Sequence, residues 1–228
     1  MAGRPITAIL YDWDNTLVDA WGGVTAALNV AFAAFGMPRW TNEDTKRRVR
    51  FASRSGFQSL FGDAWPRALD LFHEAMQAGH LQHVTPMPGA IAALEAGRPW
   101  KQGVVSNKSG SYLRAEVAHL AWSGRFGAVI GAGDAPADKP DPAPILMALA
   151  QLGVRANYAV WYLGDTAVDM QAARAAGVTA VLVGDAAHDG GPERSAPDLH
   201  FATAHDVARA LRTLARQDPA DGSAPSVR

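Results

Sequence analysis

The sequence predicts an α/β fold: a doubly wound, Rossmann-like parallel sheet that carries an inserted α-helical cap domain. The first observation behind this prediction is a series of short apolar segments that alternate with helical patterns along most of the chain. The second is a long stretch near the N-terminus in which only helical patterns occur. Such alternation is typical of parallel strands that are joined by right-handed helical crossovers.

The predicted strands are apolar runs without polar alternation, as expected where helices cover both faces of a sheet. They are residues 6–11, 103–106, 128–130, 159–163 and 179–183. Glycines mark the ends of two helices between them. Asp141 is a predicted N-cap with Pro142 at the first helical position, and Gly153 ends that helix. Gly177 ends a helix over residues 167–176.

The helical stretch is interpreted as a domain inserted into the core. Residues 18–84 form the predicted cap, and the Pro- and Gly-containing segment 85–89 is a stiff linker back to the core. Residues 1–17 and 85–216 form the predicted catalytic core. Residues 217–228 are rich in Pro, Ala, Ser and Asp and are predicted to be a disordered tail.

The composition narrows the class of protein. The chain has 228 residues, a formal net charge of -1 and a pI of about 6.6, which does not favour nucleic acid or an anionic membrane as a partner. The absence of cysteine excludes disulfides, thiolate metal sites and cysteine nucleophiles. The N-terminal apolar segment is too short for a signal peptide, so we expect a cytoplasmic protein.

Polar residues collect directly after the predicted strands, in the clusters 12–16, 106–108, 139–140 and 164–169. Because the carboxyl ends of parallel strands lie at one edge of a sheet, these clusters should meet where such sheets bind ligands. Packed carboxylates do not all stay ionised unless a cation lies among them, and oxygen ligands without histidine or cysteine favour Mg²⁺. A lysine beside them suits an anionic substrate such as a phosphate ester.

Each cluster also has an ordinary interpretation when it is taken alone. An Asp-Asn pair after a strand is common in turns, and Ser106 with Asn107 could cap a helix. Lys139 could lie on a plain loop, and Asp169 could be an acid that the helix dipole favours in a first turn. The conjunction of the clusters, in order and each at a strand end, carries the prediction.

In this conjunction the chain resembles the haloacid dehalogenase-like hydrolase superfamily, whose four motifs match residues 12–17, Ser106, Lys139 and residues 164–169. The helical insert after the first motif resembles the branch with a helical cap. Ser106-Asn107-Lys108 and the Gly-Asp-Thr-x-x-Asp string resemble the phosphoglycolate phosphatase group. The resemblance implies a phosphatase that acts on a small phosphorylated metabolite.

The resemblance also implies roles for single residues. Asp12 would be the nucleophile that forms an aspartyl-phosphate, Asp14 would act as acid and then base, and Thr16 would help to position Asp14. Ser106 would hydrogen-bond the phosphoryl group, and Lys139 would offset negative charge. The implied Mg²⁺ ligands are the Asp12 carboxylate, the Asp14 backbone carbonyl and Asp165, with Asp169 either supporting these ligands or binding the metal itself. Asn107 and Lys108 join Ser106 as predicted substrate-binding residues, and Trp13, where phenylalanine is commoner, should only pack.

Several alternatives stay open at this stage. A dehalogenase would need no metal and would lack Asp14, whereas a sugar-phosphate mutase of the β-phosphoglucomutase type would share the core motifs and the cap class. A non-enzymatic phosphate-binding homologue would lose Asp12, Asp14 or Lys139, and all three are present. A receiver domain would be shorter and without a cap. The sequence specifies neither the exact ester nor the oligomeric state.

The predicted cap offers one candidate for substrate contact. Thr41 and Asp44 resemble a capping box that opens one cap helix, and a basic run follows. Most of that run is interpreted as a solvated helix face. Arg54 and Ser55, at a turn that could face the core, are predicted to bind a second small anion on the substrate, such as a carboxylate.

Overall fold

The computed structural model describes residues 6–48 and 54–217. Residues 218–228 of the predicted disordered tail lie outside the described part of the chain. Gln217 itself is described, and it is the last residue of a helix rather than the first of a tail. No helix within the described ranges is long and apolar enough to span a bilayer.

The strands of the core form one parallel sheet. In chain order, the strands of the described residues are β1 Ala8–Tyr11, β2 Val18–Asp19, β3 Thr85–Pro86, β4 Lys101–Ser109, β5 Ala128–Ala132, β6 Val160–Gly164, β7 Thr179–Val183 and β8 Leu199–Phe201. Strands β2 and β3 pair only with each other, outside this sheet. The sheet order is β5-β4-β1-β6-β7-β8, and every pairing in it is parallel. The order reverses direction around β1, which confirms the predicted doubly wound α/β fold.

Helices cover both faces of this sheet. In chain order, the helices of the described residues are α1 Trp21–Ala34, α2 Asn42–Arg48, α3 Arg54–Phe61, α4 Trp65–Gly79, α5 Ala90–Ala96, α6 Gly110–His119, α7 Ala143–Leu152, α8 Ala167–Ala175, α9 Pro192–Ser195 and α10 Ala204–Gln217. Helices α5 to α8 and α10 supply the apolar side chains that pack on the sheet. Successive side chains of β1 point to opposite faces, as in any strand. Ile9 packs in the cluster that contains Leu94 of α5 and Leu211 of α10, and Leu10 packs with Leu149 of α7 and Met170 of α8.

Helices α1 to α4 have an apolar cluster of their own. Leu28 and Phe32 of α1 pack against Phe57 of α3 and Phe72 of α4, and the Phe57 and Phe72 ring centroids lie 5.3 Å apart. The chain leaves the core through β2 and returns through β3, and these two strands pair antiparallel with Val18 opposite Pro86. The division into a core and a cap at residues 18–84 stays a prediction, and this separate apolar cluster supports it.

The element boundaries follow the sequence signals closely in most places. Gly153 and Gly177 take left-handed φ values of 63° and 71° at helix ends, as predicted. Thr41 and Asp44 form the predicted capping box, because the Asp44 backbone N–H donates to the Thr41 hydroxyl and the Thr41 N–H donates to the Asp44 carboxylate. The prediction for Pro142 was wrong by one residue, since α7 begins at Ala143.

The sequence prediction also missed three short strands, β2, β3 and β8. The first two form a two-stranded ribbon, in which β3 takes up the first two residues of the predicted linker 85–89. Strand β8 adds an edge strand next to β7. Each is only two or three residues long, which is too short for a periodic pattern to be recognised.

Close backbone packing at Gly131 of β5 supplies a test of this fold. A Cβ atom there would lie 2.4 Å from the Gly110 Cα and 2.8 Å from the Lys108 carbonyl oxygen, both backbone atoms that cannot rotate away. We expect Gly131→Ala to lower the free energy of unfolding by about 1–3 kcal/mol in urea denaturation. Gly124→Ala is the matched control, since no described atom lies within 4 Å of its Cβ. Equal losses for the two variants would contradict the packing.

Candidate active site

A polar cleft lies at the carboxyl ends of the central strands. Its volume is about 390 Å³. The lining residues are Asp12, Asp14, Asn15, Ser106, Asn107, Lys108, Lys139, Asp165, Thr166, Val168 and Asp169. A larger cavity of about 580 Å³ lies at the opposite edge of the sheet, but its described lining, which includes Lys101 and Arg155, contains no carboxylate. The four predicted clusters thus meet in the first cleft.

The Lys139 ammonium lies at the centre of the buried part of this cleft. Its Nζ atom donates to Asp12 Oδ1 at 2.6 Å and to Asp169 Oδ1 at 2.7 Å. The Tyr162 hydroxyl at 2.8 Å and the Val105 carbonyl oxygen at 3.2 Å complete its surroundings. The Lys139 side chain is only 3% exposed. One cation therefore joins the loop after β1 to residues of β4, β6 and α8 at a single point.

Burial and charge act on these groups in opposite directions. Burial raises the pKa of the Asp12 carboxyl well above its usual range; Lys139 opposes this shift, and Asp169 and Asp165 add to it. Burial also disfavours the charged form of Asp169, but Lys139 and hydrogen bonds from Thr166 outweigh it and hold the pKa of Asp169 below its ordinary value. Burial alone would lower the pKa of Lys139, yet Asp12 and Asp169 raise it, so the ammonium stays charged.

Three buried carboxylates form a donor set for a metal ion. Asp12, Asp165 and Asp169 each offer an oxygen atom, and these atoms lie within 4.8 Å of one another. Lys139 balances only part of this negative charge, so an additional cation would favour the ionised form of Asp12. Carboxylate oxygens without nitrogen or sulfur ligands fit a hard divalent cation. The residues present therefore match the predicted metal site.

Asp169 also lies in the first turn of α8. It forms a capping box with Thr166, whose hydroxyl donates to Asp169 Oδ2 at 2.6 Å while the Asp169 backbone N–H points back to that hydroxyl. The other carboxylate oxygen, Oδ1, accepts from Lys139 at 2.7 Å. Both oxygens of Asp169 thus already bond protein groups. This arrangement favours a supporting role for Asp169 in a metal site over a place among the direct ligands.

Asp14 lies apart from the three buried carboxylates, at the partly exposed side of the cleft. Its side chain is 31% exposed, and its Oδ1 atom accepts from Lys108 Nζ at 2.7 Å. The same ammonium donates to both oxygens of Glu116 on α6, at 2.8 and 2.7 Å. Asp12 and Asp14 therefore occupy different environments, as the hypothesis of two distinct roles requires.

Trp13 lies between Asp12 and Asp14 in sequence and does more than pack. Its ring meets Trp122 edge-on with centroids 5.8 Å apart, and its indole N–H donates to Glu116 Oε2 at 2.6 Å. The expectation that Trp13 should only pack was therefore wrong. An indole carries a donor that phenylalanine lacks, and a buried donor needs a partner.

The remaining predicted residues of the core have defined places. Ser106, Asn107 and Lys108 lie in a register shift of β4 rather than after a strand, because β4 extends to Ser109. The Ser106 hydroxyl accepts the Lys108 backbone N–H at 3.2 Å. The Asn107 amide donates to the Lys139 carbonyl at 2.8 Å and accepts from the Lys139 N–H at 3.0 Å, so it holds the Lys139 loop.

For Thr16 the structure differs from the prediction, and for Arg54 the side chain is not described. The Thr16 hydroxyl is 3.4 Å from Asp165 Oδ1, so its described contact is with Asp165 rather than with Asp14. Arg54 is the first residue of α3, and its side chain lies outside the described part of the structure. The predicted substrate contact of Arg54 stays a prediction.

Sequence reasoning missed two residues of the site, Tyr162 and Glu116. The Tyr162 hydroxyl accepts from Lys139 and lies 2.9 Å from the Val105 carbonyl oxygen. A tyrosine inside an otherwise apolar strand, two residues before Gly164, could have been noticed. Glu116 had no such signal, because it comes close to its partners Trp13 and Lys108 only when α6 packs against β4 and the loop after β1.

Comparisons with known proteins identify the family to which the chain belongs. The sequence model of the haloacid dehalogenase-like hydrolase family matches residues 9–183. The phosphoglycolate phosphatase of Caulobacter vibrioides is 32% identical over 224 residues, which cover 93% of each chain. The phosphoglycolate phosphatase of Rhodospirillum rubrum is 32% identical over 191 residues, which cover 77% of this chain and 78% of that one.

Solved structures share the fold. A HAD-superfamily hydrolase of subfamily IA from Geobacter sulfurreducens superposes with a TM-score of 0.75 at 22% identity, covering 90% of this chain and 96% of the other. A HAD-superfamily hydrolase from Ehrlichia chaffeensis gives a TM-score of 0.65 at 25% identity, covering 93% and 99%. The resemblance that the four motifs predicted is confirmed. The chain belongs to the haloacid dehalogenase-like hydrolases and is similar to the phosphoglycolate phosphatases among them.

Proposed function

We propose that this phosphatase hydrolyses a small phosphate monoester, of the size and charge of phosphoglycolate, through an aspartyl-phosphate on Asp12 and with the help of Mg²⁺. The observation that carries the proposal is the pairing of Asp12 with Lys139 at 2.6 Å, while Asp14 lies separately beside Lys108 at the open side of the cleft. Two-step phosphoryl transfer needs a nucleophile and a second group that can act as acid and then as base, and the separate environments of Asp12 and Asp14 suit these two roles. The names of the sequence relatives support the class of ester.

The first half of the reaction transfers the phosphoryl group to the enzyme. An Asp12 carboxylate oxygen attacks phosphorus, the bond between phosphorus and the ester oxygen breaks, and Asp14 in its acid form gives its proton to the departing oxygen. Lys139 offsets the charge that gathers on the phosphoryl oxygens, and the Ser106 hydroxyl donates to one of them. The alcohol leaves, and Asp14 is then a carboxylate.

The second half returns the enzyme to its starting state. The Asp14 carboxylate takes a proton from a water molecule, whose oxygen attacks the phosphorus of the aspartyl-phosphate. The bond between phosphorus and Asp12 breaks, inorganic phosphate leaves, and Asp14 again carries the proton that the next cycle needs. One residue thus serves as acid and then as base, which requires the partial exposure that Asp14 has.

The metal would be held by the Asp12 carboxylate, Asp165 and the Asp14 backbone carbonyl, with Asp169 in support. When bound, Mg²⁺ would neutralise charge on the phosphoryl oxygens and on the nucleophile's carboxylate. The contacts of Asp165 with the Thr16 hydroxyl and of Asp169 with Thr166 and Lys139 support this assignment, because they hold the two carboxylates in position.

Metal binding can be tested without an activity assay. Mg²⁺ at about 100 times its Kd should stabilise the fold by about 2.7 kcal/mol, or a rise of several degrees in Tm. Asp165→Asn should remove most of this rise, whereas Asp70→Asn, at an exposed position of α4, should keep it. Excess EDTA should also abolish turnover, and added Mg²⁺ should restore it. Full turnover in metal-free buffer would contradict the proposed cofactor.

The reaction itself is tested by following two products. The enzyme is supplied separately with 2-phosphoglycolate and with β-glucose 1-phosphate, and both free phosphate and glucose 6-phosphate are measured. We expect phosphate release from 2-phosphoglycolate to be the faster reaction. Asp12→Asn should reduce turnover by about 10⁴-fold or more, because an amide does not form the covalent intermediate.

The same assay decides between the two enzyme classes that share these core motifs. Formation of glucose 6-phosphate faster than release of phosphate would identify a sugar-phosphate mutase and would contradict the proposed hydrolysis. Near wild-type turnover by Asp12→Asn would remove Asp12 from the role of nucleophile. A loss of turnover with an unchanged thermal melting curve would exclude unfolding as the cause.

A further inference from the structure

Glu116 is a buried carboxylate that the proposed reaction does not use. Its residue is 1% exposed, and it lies on α6, a helix that packs on the sheet next to β4 and β5. Removing a carboxylate from water is unfavourable unless charged or polar groups replace the water. Glu116 has three such contacts, two with the Lys108 ammonium and one with the Trp13 indole.

The contacts of Glu116 lead directly to the proposed acid and base. Lys108 bonds both Glu116 oxygens and also Asp14 Oδ1 at 2.7 Å. Trp13, the second partner, is the residue between Asp12 and Asp14. Glu116 therefore reaches Asp14 by two routes: through a side chain, Lys108, and through the backbone of the loop that carries Asp14.

We propose that Glu116 is a positioning residue for proton transfer by Asp14, and that it acts through Lys108 and Trp13. The inference rests on the proposed function, because it assigns a task only if Asp14 moves protons. Lys108 has a long flexible side chain, and a single contact with Asp14 would leave its ammonium free to turn into the cleft. The two-oxygen contact with Glu116 holds the ammonium in place, and the ammonium in turn holds the Asp14 side chain through one oxygen.

This arrangement predicts a specific effect on chemistry. Without the Glu116 charge, the Lys108 ammonium would keep one charged partner in this network, Asp14. Nothing in the network would then hold the ammonium at the edge of the cleft, and the Asp14 side chain that it contacts would be released with it. Proton transfer to the departing oxygen would suffer, while nucleophilic attack by Asp12 would be spared. A role in folding alone would lower the amount of active enzyme equally for every substrate.

The test compares two esters that differ in their need for a proton. The alkoxide of 2-phosphoglycolate is a poor leaving group that needs protonation, whereas the phenolate of p-nitrophenyl phosphate leaves with little assistance. The constant kcat/KM is the measure, because it reports the steps up to departure of the first product. Glu116→Gln keeps the size of the side chain and removes its charge. The matched control is Glu95→Gln, because Glu95 also forms an ion pair, with Arg125, but neither residue lines the cleft.

We expect Glu116→Gln to reduce kcat/KM for 2-phosphoglycolate by about 10-fold or more and for p-nitrophenyl phosphate by less than about 3-fold. Glu95→Gln should leave both constants unchanged. Lys108→Met should show a selective loss of the same kind, and the double variant Lys108→Met/Glu116→Gln should exceed it by no more than the small loss of Trp13→Phe, because the Trp13 route is the one that remains in Lys108→Met. Such non-additivity is expected if Glu116 acts through Lys108.

Trp13→Phe keeps the inference testable if Glu116→Gln does not fold. It removes the indole donor and leaves the ion pair, so its loss should be selective for 2-phosphoglycolate but smaller. Equal losses for both esters in Glu116→Gln or Trp13→Phe would overturn this inference and leave the proposed function intact. If the wild-type enzyme hydrolysed neither ester, the proposed function would be overturned, and this inference with it.

Discussion

The ion pair of Lys139 with Asp12 and Asp169 is the interaction on which the site depends. It places a cation among buried carboxylates, and without it their mutual repulsion and desolvation would favour the neutral acids. Its partners come from the loop that follows β1 and from α8, while the lysine itself comes from the loop after β5. Lys139 therefore balances the charges of Asp12 and Asp169 only after the sheet has assembled.

The sheet supports this interaction with polar contacts between loops. Asn107 bonds both the N–H and the carbonyl of Lys139, so the shifted register of β4 determines where the lysine backbone lies. Tyr162 supplies a hydroxyl from β6 at the same point. Each of these side chains satisfies a buried polar group that would otherwise be costly, which links the precision of the site to the stability of the core.

The sequence predicted the central strands and most of the polar residues of the cleft, because both depend on local patterns. Apolar runs without alternation indicate buried strands, and a parallel topology brings their carboxyl ends together. Contacts between distant residues could not be predicted in this way. Trp13 and Glu116 are separated by 103 positions, and nothing near either one indicates the other. Strand β8 was missed for a different reason, since three half-buried or exposed residues carry no recognisable period.

The antiparallel pair of β2 and β3 has a consequence for how this chain can change over time. The polypeptide leaves the core at Val18 and returns at Pro86, and these residues are direct neighbours. Because the two ends meet, the segment between them can grow, shrink or be replaced while the strand order of the core stays the same, and added length costs little in closure entropy. Helices α1 to α4 are therefore the part of the molecule most open to evolutionary exchange, next to a core whose charges leave little freedom.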